Sequence, residues 1–274
     1  MFDEARPVLT PLMQDPAFAH ALHLCGQRPM FLPDGLMMLH RRIAGVRLLM
    51  LPRAAPPHDL AAQLRSIGLH RTPLILSPQD PCRMPRSLRL RKGGDRAVLD
   101  LTGSDEDRRA ALHPKWRNQL KRGEKAGLKI TRKPLPADPD TEILRQELRQ
   151  TQQRGYANWP PPLTARFAAA APRQTHVFRA HHKGRVVAHM LFLTHGACAT
   201  YHLGHITDTG KALSAHNLLL WRACCYFAKR GAAQLDLGVL SDETPALNRF
   251  KLRCGATRHA TGGTHLYWRP FARG

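Results

Sequence analysis

Acidic residues are scarce in this chain. Twenty Asp and Glu stand against 42 Lys and Arg in 274 residues, a formal net charge of +22. Such an imbalance attracts polyanions and opposes compaction slightly, without setting the fold. Arginine is spread over nearly the whole length, so the charge fits a compositional bias as well as a binding footprint. Aromatic residues make up only 6% and do not interleave with the basic ones, which counts against a stacking track for single-stranded RNA. The six cysteines (Cys25, Cys82, Cys198, Cys224, Cys225 and Cys254) form no C-x-x-C pair. That excludes a zinc-ribbon or disulfide framework and leaves reduced, core-filling thiols. Sixteen histidines are scattered, and His20/His23 and His181/His182 have no partners at ligand spacing, so no metal is expected. No apolar run is long enough to span a bilayer: Arg41, Arg42 and Arg47 break 36–51, and His195 and His202 break 190–204. The opening "MFDEARPVL" is acidic and lacks an apolar h-region, so no signal peptide is expected. The expectation is a soluble cytoplasmic protein whose basic surface can still touch RNA or anionic membranes.

The patterns that are present alternate strand and helix signals. "LMMLHRRIAGVRLLML" (36–51) reads as two strands around a turn at Ala44-Gly45, and "PPHDLAAQLRSIGL" (56–69) as a helix between Pro and Gly. "SLRLRKGGDRAVLDL" (87–101) alternates on both sides of Gly93-Gly94-Asp95, a hairpin signal. A new unit is expected from Ser104, which gives a division into 1–103 and 104–274. There "SDED" has capping-box spacing, Pro114 forces a break near His113, and a helix runs from Pro114 to about Ala126. "LKITRK" is a strand, 139–155 a helix and "WPPPL" (159–163) a loop. Three strands follow, turning at Lys183-Gly184 and Gly196. Then come a helix from about Ala212 to Lys229, the strand "AQLDLGV", the helix "ETPALNRFKLRCG", and a strand or hairpin in "ATRHATGGTHLYW".

Two stretches suggest an anionic ligand. In "LHPKWRNQLKRGEKAGLKI" (112–130), Arg117, Lys121 and Lys125 recur at every fourth residue, beside an apolar line of Trp116, Leu120 and Gly123. One line docks on a core; the other is either a solvated face or a track for phosphates, and periodicity leaves both open. In "GHITDTGKALSAHNLLLW" (204–221) a strand ends, a glycine-containing loop follows and a helix begins, with Lys211 adding charge. Backbone N–H groups at a helix start attract anions, although many such loops contain glycine merely to turn.

The order of four segments resembles the GNAT-like N-acyltransferase superfamily, in particular its FemAB/peptidoglycan-bridge-like branch. These are "KWRNQLKRGEKAGL", "KGRVVAHMLFLTHGACATYHLG", "LLLWRACCYFAKRGAAQLDLG" and "LNRFKLRCGA", spread over 112–256. The resemblance implies a mixed α/β, GNAT-like fold, with the first hundred residues as a degenerate N-terminal copy. It implies acyl transfer to an amine, with the donor lying between two splayed strands at about 197–205 and 233–238. It places the donor's pyrophosphate at 206–214, with Thr207, Gly210, Lys211, Ala212, Ser214 and Asn217 as the binding set. The usual coenzyme A pattern Q/R-x-x-G-x-G/A survives only in part there. The branch's Phe-Lys element maps onto Phe250 and Lys251, with Lys251 stabilising the tetrahedral intermediate. Asp236 alternates with Leu235 and Leu237 and so points to the face opposite them, where it either orients or deprotonates the amine or pairs with an arginine as structure; Tyr201 and His202 are candidate proton relays. Arg117, Asn118, Lys121 and Lys125, with Phe250, would hold the substrate. Three readings follow: an N-acyltransferase using an acyl-CoA donor, a transferase using aminoacyl-tRNA, and a non-catalytic basic module that binds RNA or another anion. The charge favours RNA, whereas the long coiled-coil insertion of the cell-wall enzymes is missing.

Overall fold

Two β-sheets divide the chain. The structure is a computed structural model and describes residues 9–43 and 45–271. Pro11–Asp95 and His259–Gly274 make one compact unit; Met1–Thr10 and Arg96–Arg258 make the other.

The smaller unit opens with a short 3-10 turn and α1 (Pro16–Leu24), whose start is capped by Asp15 accepting from the Ala17 N–H. Next come β1 (Met30–Phe31), β2 (Met37–Ile43), β3 (Val46–Arg53), α2 (Leu60–Ser66), β4 (Leu74–Pro78) and β5 (Leu88–Arg91). Of the expected Ala44-Gly45 turn, Ala44 lies outside the described residues, but β2 and β3 pair around it from Leu39↔Met50 to Ile43↔Val46. The last strand of the chain, Thr264–Tyr267, inserts between β4 and β5 and is antiparallel to both. β3 and β4 are parallel and paired from Leu49↔Leu74 to Arg53↔Pro78. Their alternate leucines, with Leu60 and Leu64 of α2, form a buried core. Burial of this kind contributes roughly 1.5–3 kcal/mol per large side chain.

The larger unit contains β6 (Asp95–Asp100), α3 (Asp105–Ala110), α4 (Pro114–Lys125), β7 (Lys129–Lys133), α5 (Glu142–Arg154) and α6 (Pro161–Ala170). It continues with β8 (Thr175–His182), β9 (Arg185–His195), β10 (Cys198–Ile206), α7 (Asp208–Ala212), α8 (Ala215–Ala228), β11 (Gln234–Leu240), α9 (Pro245–Arg253) and β12 (Thr257–Ala260). Its sheet runs β12-β6-β11-β10-β9-β8-β7. Both halves of the Ser104–Asp107 capping box form, and His113 caps α4 through its ring nitrogen, 3.2 Å from the Lys115 N–H. Trp116, Leu120 and Gly123 are buried, as the apolar line of that helix requires. Leu218, Leu219 and Phe227 of α8 join Phe178 and Phe192 of the sheet in the same core. The thiols of Cys198, Cys224 and Cys254 are buried and free.

Both units share one motif: an antiparallel strand pair, a crossover helix, and a return strand parallel to the second. This is the tandem GNAT-like arrangement implied by the sequence. Three local expectations are corrected. The 87–101 segment is not a hairpin: β5 lies in one sheet and β6 in the other. A Cβ on Gly93 would sit 1.9 Å from the Thr261 carbonyl oxygen, so the 261–263 segment packs where a hairpin turn would close. β6 is paired in the seven-stranded sheet and Thr264–Tyr267 in the six-stranded one. "WPPPL" is not all loop, because Pro161 begins α6, where a missing N–H costs nothing. The helix expected from Ala212 is two helices, separated by Ser214 in the left-handed region at φ 54°.

Candidate functional site

The geometry begins where two strands part. β10 and β11 are parallel and pair at Cys198↔Gln234, Ala199↔Leu235 and Thr200↔Asp236. Among the described residues the pairing ends there, although β10 continues to Ile206 and β11 to Leu240. A bulge between Tyr201 and Leu203 bends β10 at the parting point. On β11, Gly238 takes φ +81°, which a side chain would resist. The result is a cleft with one lip on each strand.

Lys251 stands at the β11 lip. It is 6% exposed, and its Nζ donates to the Val239 carbonyl at 2.8 Å. Burial pushes its ammonium pKa down to about 8, against a partial restoring pull from Asp236. An ammonium with one proton committed has two left for an incoming oxygen. Asp236 offers less than expected of a base. Its Oδ2 pairs with Arg96 at 3.0 Å and its Oδ1 accepts from the Gly238 N–H at 2.7 Å, so both oxygens are engaged in bracing the strand.

Tyr201 and His202 are taken up in packing. The Tyr201 ring lies 5.7 Å from Phe192, and its hydroxyl fills the space a Cβ on Gly204 would need. Burial raises the phenol's pKa. His202 lies tilted against Trp159, ring centroids 4.9 Å apart, and its Nε2 is 3.1 Å from Thr164 Oγ1. Burial lowers its pKa to about 4, so the ring is neutral near pH 7. Neither is placed as an open relay.

The loop after β10 is closed at its first helix and open at its second. At α7, Thr207 donates from its N–H and Oγ to the Val187 carbonyl, and its Oγ accepts from Gly210 N–H. Lys211 pairs with Asp208 at 2.8 Å. A Cβ on Gly210 would lie 2.4 Å from the Val187 carbonyl oxygen, so this glycine serves close packing. Ala212 is exposed at the end of α7. At α8, by contrast, Ser214 provides no side-chain cap. The first N–H groups of a helix have no acceptor inside it, which favours an anion there. α4 packs against this helix start through Gly123, whose missing Cβ would lie 3.1 Å from the Ser214 carbonyl oxygen. Asn217 Nδ2 reaches Gln119 Oε1 at 3.3 Å.

Beside this contact is an open-sided depression of about 570 Å³, lined by Asn118, Lys121, Arg122, Lys125, Ala126 and Leu213. The two anion signals of the sequence therefore meet. Arg117 is not among the lining residues: it donates to the carbonyls of Ala110 and Leu112, closing the end of α3. Arg122 takes a place in the cationic lining that the four-residue spacing did not give it. Phe250 is packing, its ring 6.1 Å from Trp116 and 6.4 Å from His216. No group of His, Cys, Asp or Glu able to hold a metal ion occurs among the described residues. No helix among them is long and apolar enough to cross a membrane.

The β10 lip carries groups the sequence did not announce. Beyond the last β10–β11 pair, the carbonyls of His202 and Gly204 accept from Asn158 Nδ2 at 3.2 Å and Gln150 Nε2 at 3.5 Å. Asn158 Nδ2 also donates to Glu147 Oε1 at 2.7 Å, and the Tyr156 hydroxyl donates to the same oxygen at 3.0 Å. The one available signal was an acid, Glu147, four residues after Ile143 on the inward face of α5.

Residues 108–252, just over half of the chain, match the acetyltransferase (GNAT) domain family. The chain belongs to that family. Among solved structures, FemX is similar with a TM-score of 0.75 at 11% identity, over 97% of this chain and 94% of that one. A conserved protein of unknown function from Bacteroides thetaiotaomicron follows at 0.61 and 14%, covering 93% and 90%. L-PGS from Bacillus licheniformis has 0.57 and 13%, covering 93% and 88%. Identities this low show the fold. No curated protein matches by sequence. The chain is thus an acyltransferase of GNAT type, FemAB-like in architecture.

Proposed function

We propose that this protein is an N-acyltransferase that moves an acyl group from an acyl-CoA thioester to an amine. The parting of β10 and β11 after Thr200/Asp236 carries the reading, because it opens backbone and a buried ammonium to a ligand inside an otherwise paired sheet. The acyl carbonyl lies between the lips with its oxygen toward Lys251. Attack by the amine converts that carbonyl to an oxyanion, and a preorganised ammonium in a poorly solvated site favours that charge. The donor's phosphates sit at the open start of α8, against Lys121, Arg122 and Lys125. The closed start of α7 is consistent with the partial coenzyme A pattern: the site lies one helix further on. Asp236 and Arg96 hold the β11 lip in place.

An aminoacyl-tRNA donor is the second reading, favoured by the open-sided cationic depression and the net charge of +22. Thermal stability with acetyl-coenzyme A, and separately with bulk tRNA, across a salt series decides between them. A saturable shift with the coenzyme that persists at moderate salt supports the thioester donor. A shift with tRNA alone, lost as salt rises, supports the aminoacyl ester. Binding of either without any acyl transfer would leave the non-catalytic module as the reading.

A further inference from the structure

Two described acids, Asp15 and Glu147, are buried without an ion pair, and Asp15 is accounted for as the cap of α1. Asp105, Glu124, Glu142, Asp208 and Asp236 each pair with Arg or Lys within 4.0 Å. Glu147 is only 6% exposed, yet both its partners are neutral and both bind Oε1. Its Oε2 has no partner, and it is absent from the polar atoms sealed from solvent without one. Burying a carboxylate without a cation opposes folding, and a leucine or glutamine would serve a merely packed helix face better. The carboxylate is also aimed. Asn158 uses one amide nitrogen to hold both Glu147 Oε1 and the His202 carbonyl, which ties the acid to the β10 lip of the cleft. Tyr156 is 38% exposed as a residue, but desolvation pushes its phenol pKa up to about 12, so it remains a protonated donor toward that acid.

We infer that Glu147 is the site of the acceptor: it receives a primary amine as its ammonium on Oε2 and takes the proton that must leave before attack. This rests on the acyl-transfer reading above and adds the residue that holds and activates the amine. The bound ammonium gives one proton to the carboxylate, which frees the nitrogen lone pair. That nitrogen bonds to the acyl carbon, and Lys251 donates to the resulting oxyanion. The C–S bond (C–O for an aminoacyl ester) then breaks, and the leaving group takes the second nitrogen proton. Glu147 returns its proton to solvent. A neutral hydroxyl acceptor gains nothing from this charge, so amines are favoured over alcohols of the same skeleton.

The test is acyl transfer by the full chain, wild type and E147Q. Acetyl-coenzyme A and aminoacyl-tRNA serve as donors, with a panel of primary amines and matching alcohols as acceptors, from pH 6 to 9. Thermal unfolding of both proteins is followed alongside. Wild type is expected to acylate amines and not alcohols. E147Q is expected to lose at least 100-fold in kcat/KM at pH 7 and to close that gap relative to wild type at the same pH as rising pH supplies free amine, with a melting temperature at or above wild type. If E147Q keeps activity within threefold, or loses it equally at every pH while melting lower, Glu147 is structural and the transfer reading survives. If wild type turns over neither donor, the transfer reading falls and this role of Glu147 falls with it. Y156F leaves Asn158 in place and is the second variant. A three- to tenfold loss with the same pH recovery supports the inference, and a pH-independent loss counts against it.

Discussion

The two units carry the same strand–helix–strand crossover and use it differently. In the smaller one, β3 and β4 remain paired for five residues, from Leu49↔Leu74 to Arg53↔Pro78, with buried leucines along both. The larger one pairs β10 and β11 for three residues and then lets them go. The zipped version satisfies its backbone internally and buries apolar surface. The parted version leaves carbonyls to side-chain amides and seats a buried lysine at the gap. On the proposed function the donor uses the interrupted ladder between β10 and β11, a feature the β3–β4 pair lacks.

The largest expected break of this contrast is Lys251→Met. Loss of an oxyanion donor should lower kcat by about 100- to 1,000-fold. The matching change at the end of the zipped pair, Arg53→Ala, should leave kcat unaltered. K251M should also unfold at a temperature no lower than wild type at pH 7. Lys251 titrates at about 8 when folded and near 10.5 when free. Below pH 8 both states are charged, so folding bears the whole cost of burying the ion. Between 8 and 10.5 the unfolded chain binds more protons, and wild-type stability rises with pH. The advantage of K251M should therefore shrink above pH 8, while wild-type activity falls through the same range as the ammonium deprotonates.

Gly210→Ala comes next. Its Cβ meets backbone at Val187, and overpacking of this kind costs about 1–3 kcal/mol, readable as a lower midpoint in urea. Gly45→Ala, in the smaller unit, meets nothing within 4 Å, and its cost should come from positive φ alone. Smaller again is the triple change of Lys121, Arg122 and Lys125 to Ala. Donor Kd should rise about tenfold at low salt and much less at high salt, since these side chains are exposed. Titration calorimetry at two ionic strengths would show it. Lys211→Ala should be the smallest: its pair with Asp208 is exposed and screened by solvent, and the start of α7 is already capped by Thr207. A large effect on donor affinity from Lys211 alone would move the phosphates back to α7.

These contrasts also mark what the sequence can reveal. Lys183-Gly184 and Gly196 punctuate the chain locally, so β8, β9 and β10 were legible, as was α4 between His113 and Ala126. Gly93-Gly94-Asp95 carries an equally clear local signal and misleads, because pairing there is decided by Thr261, 167 residues away from Gly94. Arg117 sits correctly in the cationic spacing, yet nothing in the spacing says that the carbonyls of Ala110 and Leu112 will claim it. Glu147 was illegible for a related reason. In "RQELRQTQQRG" it reads as one more charge on an exposed helix. Only Tyr156 and Asn158 show it to be buried, without an ion pair, and linked through Asn158 to the His202 carbonyl.

The final strand has a consequence for how the molecule is made. Thr264–Tyr267 lies between β4 and β5, so the six-stranded sheet, begun at Met30, lacks an interior strand until residue 267 has been made. Everything needed for the seven-stranded sheet has been translated by residue 260. Multidomain chains ordinarily fold their N-terminal part first during synthesis. Here the order is inverted: the sheet whose strands begin at Met30 is completed after the one whose strands begin at Asp95, and deleting Thr264–Tyr267 would open a gap between β4 and β5.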